Sequence, residues 1–315
     1  MSRRGWLLFS ALSVLWGIPY LLIKIVVGHM SPEFLVFART AIGALILIPI
    51  AAWRGQLKAA LRAWRPVAAF AVIEIGGAWL LLNNAEEHMT SSLAGLLIAM
   101  VPLVSTLLAW GLGDRGGLAG LRLVGLFTGL IGVIAVVGLN LAVGATPPLA
   151  VVAMLATAVC YAIAPMVADR KLGDVPPLAV IALSLAGVAT AYLPAAIFGA
   201  PHSWPSAKVL SSVIVLGVVC TVTAFLVFFA LIAEVGPVRA TFITYINPLV
   251  AVLLGAVVLG EAITAGMVIG LPLILVGSYL ATRKKADDPA TNEDGGPVVP
   301  GPVVPTPVLP EAVGP

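Results

Sequence analysis

The chain has 315 residues, 61% of them hydrophobic and only 10% charged, with a mean hydropathy of +1.11. A soluble globule carries about 45–50% apolar residues, so the surplus here needs lipid to face, and a water-soluble enzyme or binding module is excluded. The basic excess, 17 Lys and Arg against 14 Asp and Glu, reports membrane topology, as the loops show below, and nucleic acid is not an expected partner.

Apolar stretches of about 17–25 residues cross a bilayer as helices. They can be read in chain order at roughly 6–27, 33–53, 66–84, 91–112, 121–139, 149–168, 177–198, 209–232, 237–259 and 266–282. Turn-forming pairs punctuate the joints: Ser31-Pro32, Arg65-Pro66, Pro147-Pro148, Pro176-Pro177 and Gly236-Pro237. The pattern repeats. Pro19, Pro32, Pro49 and Pro102 answer to Pro165, Pro177, Pro194 and Pro248, and Gly125 and Gly132 to Gly270 and Gly277. Five spans is an odd number, so the second copy enters the membrane from the opposite side, the inverted-repeat plan of many secondary transporters. The expected fold is therefore an all-α integral membrane protein of ten transmembrane helices. Residues 1–140 form the first five-helix repeat and 141–282 the second, and 283–315 are a Pro-rich tail expected to be disordered.

With the N-terminus inside, Arg3, Arg4, Arg54, Lys58, Arg62, Arg65, Arg115, Arg122, Arg170, Lys171, Arg239, Arg283, Lys284 and Lys285 all fall on the cytoplasmic side. Only Lys208 lies in an external loop, while Lys24 and Arg39 fall within spans. This one-sided distribution sets both termini in the cytoplasm. Arg3-Arg4 and the apolar run after them imitate a signal peptide, but the run continues too far without a small-x-small site and reads as an uncleaved first span. Cys160 and Cys220 both lie inside spans and imply no disulfide framework.

The first span reads Leu15-Trp16-Gly17-Ile18-Pro19, followed by Lys24, Pro32 and Phe37-Ala38-Arg39; the fourth reads Thr90-Ser91-Ser92-Leu93-Ala94-Gly95-Leu96-Leu97 and ends at Val101-Pro102-Leu103. The second copy has Ile246-Asn247-Pro248-Leu249, then Gly260-Glu261, Gly270 and Gly277. Together these resemble the ten-helix EamA-type members of the drug/metabolite transporter superfamily, over residues 6 to about 282. Gly113-Asp114 stands where that family usually has Gly-Glu, and Glu86-Glu87-His88 is more polar than its usual third-to-fourth joint. The resemblance implies a solute carrier without ATPase activity that exports amino acids, other metabolites or toxic compounds. It implies a bacterial inner-membrane location, with small solutes and the lipid bilayer as partners and protons as a coupling ion to test. No G-x-x-x-x-G-K-[ST] loop occurs, so the energy has to come from a gradient.

Pro102 and Pro248 sit mid-span at matching places, where each removes a backbone donor and loosens the preceding turn. They are hinge candidates, or static packing kinks. Thr241, Thr244 or Tyr245, and Pro248 follow the spacing of one helix face, and with Asn247 they either line the substrate path or bond neighbouring helices. Glu74 lies about eight residues into the third span, roughly 12 Å deep. An acid there is a functional-site hypothesis by default: a proton carrier, a partner of Arg39, or a site for a substrate amine. Arg39, about 10 Å inside the second span, suits a carboxylate on Glu74 or on a substrate. Pairing of the two in the empty carrier is expected. Ser184 stands at the equivalent place in the second copy, so the fold alone does not demand an arginine. Lys24 is expected to snorkel to the interface, and Glu86, Glu87 and His88 to be solvated loop charges or a pH-sensing mouth. Trp16, Trp79 and Tyr161 are candidates for a cavity wall, with packing as the alternative.

A membrane-embedded enzyme would need converging acids, histidines or metal ligands. The three histidines, His29, His88 and His202, lie at or near loops, and no H-E-x-x-H, paired-Asp or Cys/His cluster occurs. No enzyme, metal or cofactor is expected. Acids beside Arg39 suit zwitterions such as amino acids, and efflux of lipophilic cations is the alternative. A cysteine placed at Ala200 should react with an impermeant thiol reagent added outside intact cells, and one at Gly55 should not. The reverse labelling pattern would overturn the orientation.

Overall fold

The computed structural model describes residues 1–113, 120–142, 146–201 and 204–282. The Gly113-Asp114 variation, Arg115, His202 and the tail from Arg283 onward lie wholly or partly outside them. Ten helices are long and apolar enough to cross a membrane: α1 (Arg3–Val27), α2 (Pro32–Trp53), α3 (Trp64–His88), α4 (Ser91–Gly111), α5 (Leu121–Asn140), α6 (Pro148–Leu172), α7 (Pro177–Phe198), α8 (Ala207–Val235), α9 (Thr241–Leu259) and α10 (Ala265–Thr282). Starting residues follow helix-capping chemistry. Ser2, Ser31, Thr90 and Ser206 accept the backbone N–H three residues on, while Pro32, Pro148 and Pro177 occupy first-turn positions that lack an intrahelical partner anyway. Successive crossings alternate, so the N-terminus lies on one face, the N-terminal face, together with the ends of α2, α4, α6, α8 and α10.

The helices of the two halves interlock in matched pairs. α5 lies along α10 and α2 along α7, while α3 against α6 is mirrored by α8 against α1. Apolar burial drives no association inside lipid, so close backbone approach has to supply the packing. The α5–α10 contact shows how. A Cβ on Gly125 would meet the Ala281 nitrogen at 2.5 Å and the Gly277 carbonyl oxygen at 2.7 Å, and one on Gly277 would strike the backbone of Gly129. Only glycine permits that approach.

Four spans are irregular, again in matched pairs. α3 contains a π-helical segment, Ala71–Gly77, and α8 another, Val218–Thr223. The interval from Pro32 to Pro177 carries 71–77 onto 216–222, so the two bulges are counterparts. A π turn widens the helix and leaves a carbonyl seeking a donor. Tyr192 of α7 donates its hydroxyl to Gly76 O at 3.0 Å, and Thr221 donates to Leu216 O at 2.8 Å. α4 is interrupted between Ile98 and Val101, so that Pro102 opens its second half. α9 begins as a 3-10 turn, Thr241–Tyr245, and Pro248 opens its α-helical part. Ser278 of α10 donates to Ala99 O at the first break at 3.1 Å. By contrast Pro19, Pro49, Pro165 and Pro194 sit inside continuous helices.

Gly277→Leu should destabilise the purified protein by about 3 kcal/mol, the upper end of overpacking costs. Gly138→Leu, on α5 with open space around it, should change stability by less than about 1 kcal/mol. Thermal unfolding in detergent distinguishes the two, and equal melting would refute glycine-mediated packing of α5 on α10.

Candidate functional site

The bundle interior holds a column of polar groups between α1, α2, α3, α6 and α8. Arg39 of α2 is 7% exposed. Its Nε donates to Thr221 Oγ1 at 2.8 Å, and its Cζ sits 3.7 Å from the centroid of the Trp79 ring. Burying an ion costs several kcal/mol. A desolvated cation–π contact returns about 2 kcal/mol and one hydrogen bond from a charged donor about 1.5–3 kcal/mol, so the guanidinium is steadied rather than neutralised. Among the described residues no carboxylate oxygen lies within ion-pairing distance of it; the ion pair found there is Arg4–Glu234, 3.9 Å, on the N-terminal face. Tyr20, Tyr161, Cys220 and Glu86 surround the guanidinium within electrostatic reach.

The expected pairing of Glu74 with Arg39 is not formed. Glu74 rides on the π segment of α3, and its Oε2 is buried without a hydrogen-bond partner among the described residues. Arg39 is turned instead onto Trp79 and Thr221. Glu74, Arg39 and Tyr20 all lie within electrostatic reach of the Tyr161 hydroxyl.

Glu86 corrects a second expectation. The third helix runs on to His88, so Glu86 is not a solvated loop charge but fully buried, with neither carboxylate oxygen partnered among the described residues. Glu87 and His88 on the next positions are exposed. Lys24 does not snorkel either. Its Nζ donates to the Glu86 backbone carbonyl at 2.6 Å, which holds the ammonium inside the bundle beside, but not on, the carboxylate.

The remaining candidates separate. Trp16 packs edge-on to Phe225 at 5.9 Å and against Phe228 at 4.9 Å, in an aromatic cluster on α8. The α9 group begins as a 3-10 turn rather than the regular helix its spacing assumed, and its bonds run to neighbouring helices, the alternative to lining a path. Thr244 bonds back to Thr241 O, and Tyr245 meets Thr282 Oγ1 at 3.0 Å on α10. With its amide nitrogen as donor, Asn247 bonds Ser13 O and Ile243 O, each at 3.0 Å. These bonds fasten α9 to α10 and α1.

Sequence reasoning overlooked Tyr20, Thr221 and the use made of Glu261. The Glu261 carboxylate caps the start of α4 on the face opposite the N-terminus: Oε1 accepts Ser91 N–H at 2.8 Å, and Oε2 accepts Ser92 N–H at 2.9 Å and the Ser92 hydroxyl at 2.6 Å. An acid at a helix N-terminus satisfies orphan donors and complements the dipole. Glu261→Ala should lower stability by about 2 kcal/mol, and Glu261→Gln by less, since its amide oxygen still accepts. Thermal unfolding that leaves both variants at the parental midpoint would show the cap to be idle.

Residues 3–138 and 148–283 each match the EamA-like transporter family. The chain is 25% identical over 295 residues to the uncharacterized inner membrane transporter YedA of Escherichia coli (strain K12), an alignment covering 90% of this chain and 94% of that protein. It is 23% identical to the uncharacterized transporter YvbV of Bacillus subtilis (strain 168), covering 92% and 95%. An uncharacterized transporter of Archaeoglobus fulgidus is 21% identical, covering 90% and 100%. A solved crystal structure shares the fold, with a TM-score of 0.63 at 24% identity over 90% of this chain and 97% of that one.

Proposed function

We propose, from the premise that the chain belongs to the EamA-like transporter family and is a multi-pass membrane transporter, that it exports small carboxylate-bearing metabolites, amino acids foremost, driven by a gradient. The observation that carries this reading is Arg39. A buried guanidinium with one donor committed to Thr221, one face on Trp79 and no carboxylate of the described residues within ion-pairing distance offers the rest of its fork to a carboxylate from outside the protein. Its depth of about 10 Å from the start of α2 suits a site reached from one face and closed from the other.

The carboxyls of Glu74 and Glu86 suit the opposite end of a zwitterion, or a coupling proton, because neutralising a buried carboxylate takes either a cation or a proton. The breaks that precede Pro102 and Pro248 are the places where α4 and α9 can bend as the two repeats rock. The bias of Lys and Arg toward the N-terminal face assigns that face to the cytoplasm, and a bacterial inner membrane agrees with the description of the relative YedA. A second reading, efflux of lipophilic cations, draws on the buried, unpartnered carboxylate oxygen of Glu74.

Purified protein in liposomes, offered amino acids and lipophilic cations in parallel, tests these readings. Arg39→Gln should slow carboxylate-solute exchange about 10–100-fold, the loss expected for charge-assisted hydrogen bonds, with Arg39→Lys intermediate. Glu74→Gln should abolish accumulation driven by an imposed pH difference while retaining downhill exchange. Full carboxylate transport by Arg39→Gln would sink the proposed site; full pH-driven accumulation by Glu74→Gln would move the proton to Glu86.

A further inference from the structure

Away from the Arg39 column, a hollow of about 410 Å³ opens at the N-terminal-face end of the bundle between α4 and α6. Leu108 and Leu112 of α4 form one wall, and Ile163, Met166 and Val167 of α6 the other. Arg170 and Lys171 close the end nearest the water. The apolar lining residues are at least partly exposed, so the hollow is an open groove rather than a sealed void.

The groove lies along the second half of α4, which follows the break before Pro102, and that half rests on α6 through a small cluster centred on Val104, Ala158 and Ala162. Beyond Leu108 the helices part. From Ile163 to Lys171 the groove extends along α6 for about 12 Å, apolar except at its final turn. Arg170 and Lys171 are both exposed, and neither forms an ion pair within the described residues, although Asp169 and Asp174 are near in sequence. Two cations without counter-ions therefore stand where the apolar channel meets the interface.

We propose that this groove binds one anionic phospholipid, its acyl chain along Leu108, Ile163 and Val167 and its phosphate on Arg170 and Lys171. Each part of such a lipid meets its complement: a flexible apolar chain fills a gap the protein leaves, and the headgroup anion meets two free cations at headgroup depth. A bound lipid also braces the half-helix that follows the Pro102 break, so occupancy is coupled to the mobility of that half. The proposal rests on membrane insertion alone and is independent of the substrate reading.

The test is native mass spectrometry of the full-length protein released from detergent. It is titrated with phosphatidylglycerol or with phosphatidylcholine of the same chains, and separately with phosphatidylglycerol in the presence of glycerol phosphate. One phosphatidylglycerol should be retained in preference to phosphatidylcholine. Arg170→Ala/Lys171→Ala should weaken its retention about 30-fold, at the usual contribution of a basic residue near the headgroups. Val167→Trp and, independently, Leu112→Trp should displace it by filling the groove, each variant being checked for a monodisperse elution profile. Lys58→Ala/Arg62→Ala, equally basic and on the same face but away from the groove, should leave retention unchanged. Equal retention of the two lipids, an equal loss in the Lys58/Arg62 control, full retention in both tryptophan variants, or displacement by glycerol phosphate at matched concentration would each overturn the proposal.

Discussion

In hydrocarbon a backbone N–H or C=O has no water to fall back on, and each unsatisfied group costs several kcal/mol. Regular helix satisfies them all, so every departure from it must be closed by a side chain. In this bundle the closures can be named. Tyr192 answers the π segment of α3 and Thr221 that of α8. Ser278 takes the carbonyl at the α4 break, and Asn247 bonds carbonyls of α9 itself and of α1. Glu261 gathers the free donors at the start of α4. Several of these closures cross from one helix to another, so the devices that make irregular backbone tolerable also join the helices to one another.

The same requirement places the polar column. Thr221 can accept from Arg39 because its own hydroxyl hydrogen is given to Leu216 O, five residues back, a reach that belongs to the π turn. Arg39 is thereby tied to the register of α8, while Trp79, two residues beyond the π segment of α3, supports its other side. The guanidinium thus bridges the two bulges. Glu74, inside the α3 bulge, is left without a partner for Oε2. Anything that drew Arg39 away from Thr221 would therefore act directly on the irregular turn of α8.

The ten spans, their order and their duplication were legible in the sequence because apolar length and proline spacing determine them directly. Pro102 and Pro248 were legible as breaks for the same reason: a missing donor is a property of the residue. The π segments were not, since no residue type specifies an i→i+5 turn, and Gly76-Gly77 is a weak hint at most. Glu86 was misplaced for want of one helical turn, as five polar residues in the stretch 83–88 end an apolar window before they end a helix. The α9 cluster was read with a regular period where the chain forms a 3-10 turn, and of its two readings the bonds to α10 and α1 match the fastening of helices. Arg39 and Glu74 were singled out correctly as interior charges, but their pairing depended on which faces meet, and two helix periodicities cannot supply that.

The duplicated scaffold carries an unduplicated chemistry. Breaks, bulges and the α2–α7 and α5–α10 contacts all come in pairs, whereas Arg39 answers to Ser184, a buried hydroxyl without a partner among the described residues. The interior charges Lys24, Arg39, Glu74 and Glu86 all come from α1, α2 and α3, and the second half contributes hydroxyls and a thiol from Tyr161, Thr221 and Cys220. An exchange between two rocked states asks for symmetry only in the parts that bend. The parts that bind need a single set of charges, and a second buried guanidinium in α7 would cost several kcal/mol without a ligand of its own. The difference between the halves therefore follows the energetics of charge burial: breaks and bulges occur in both repeats, while Arg39, Glu74 and Glu86 come from the first.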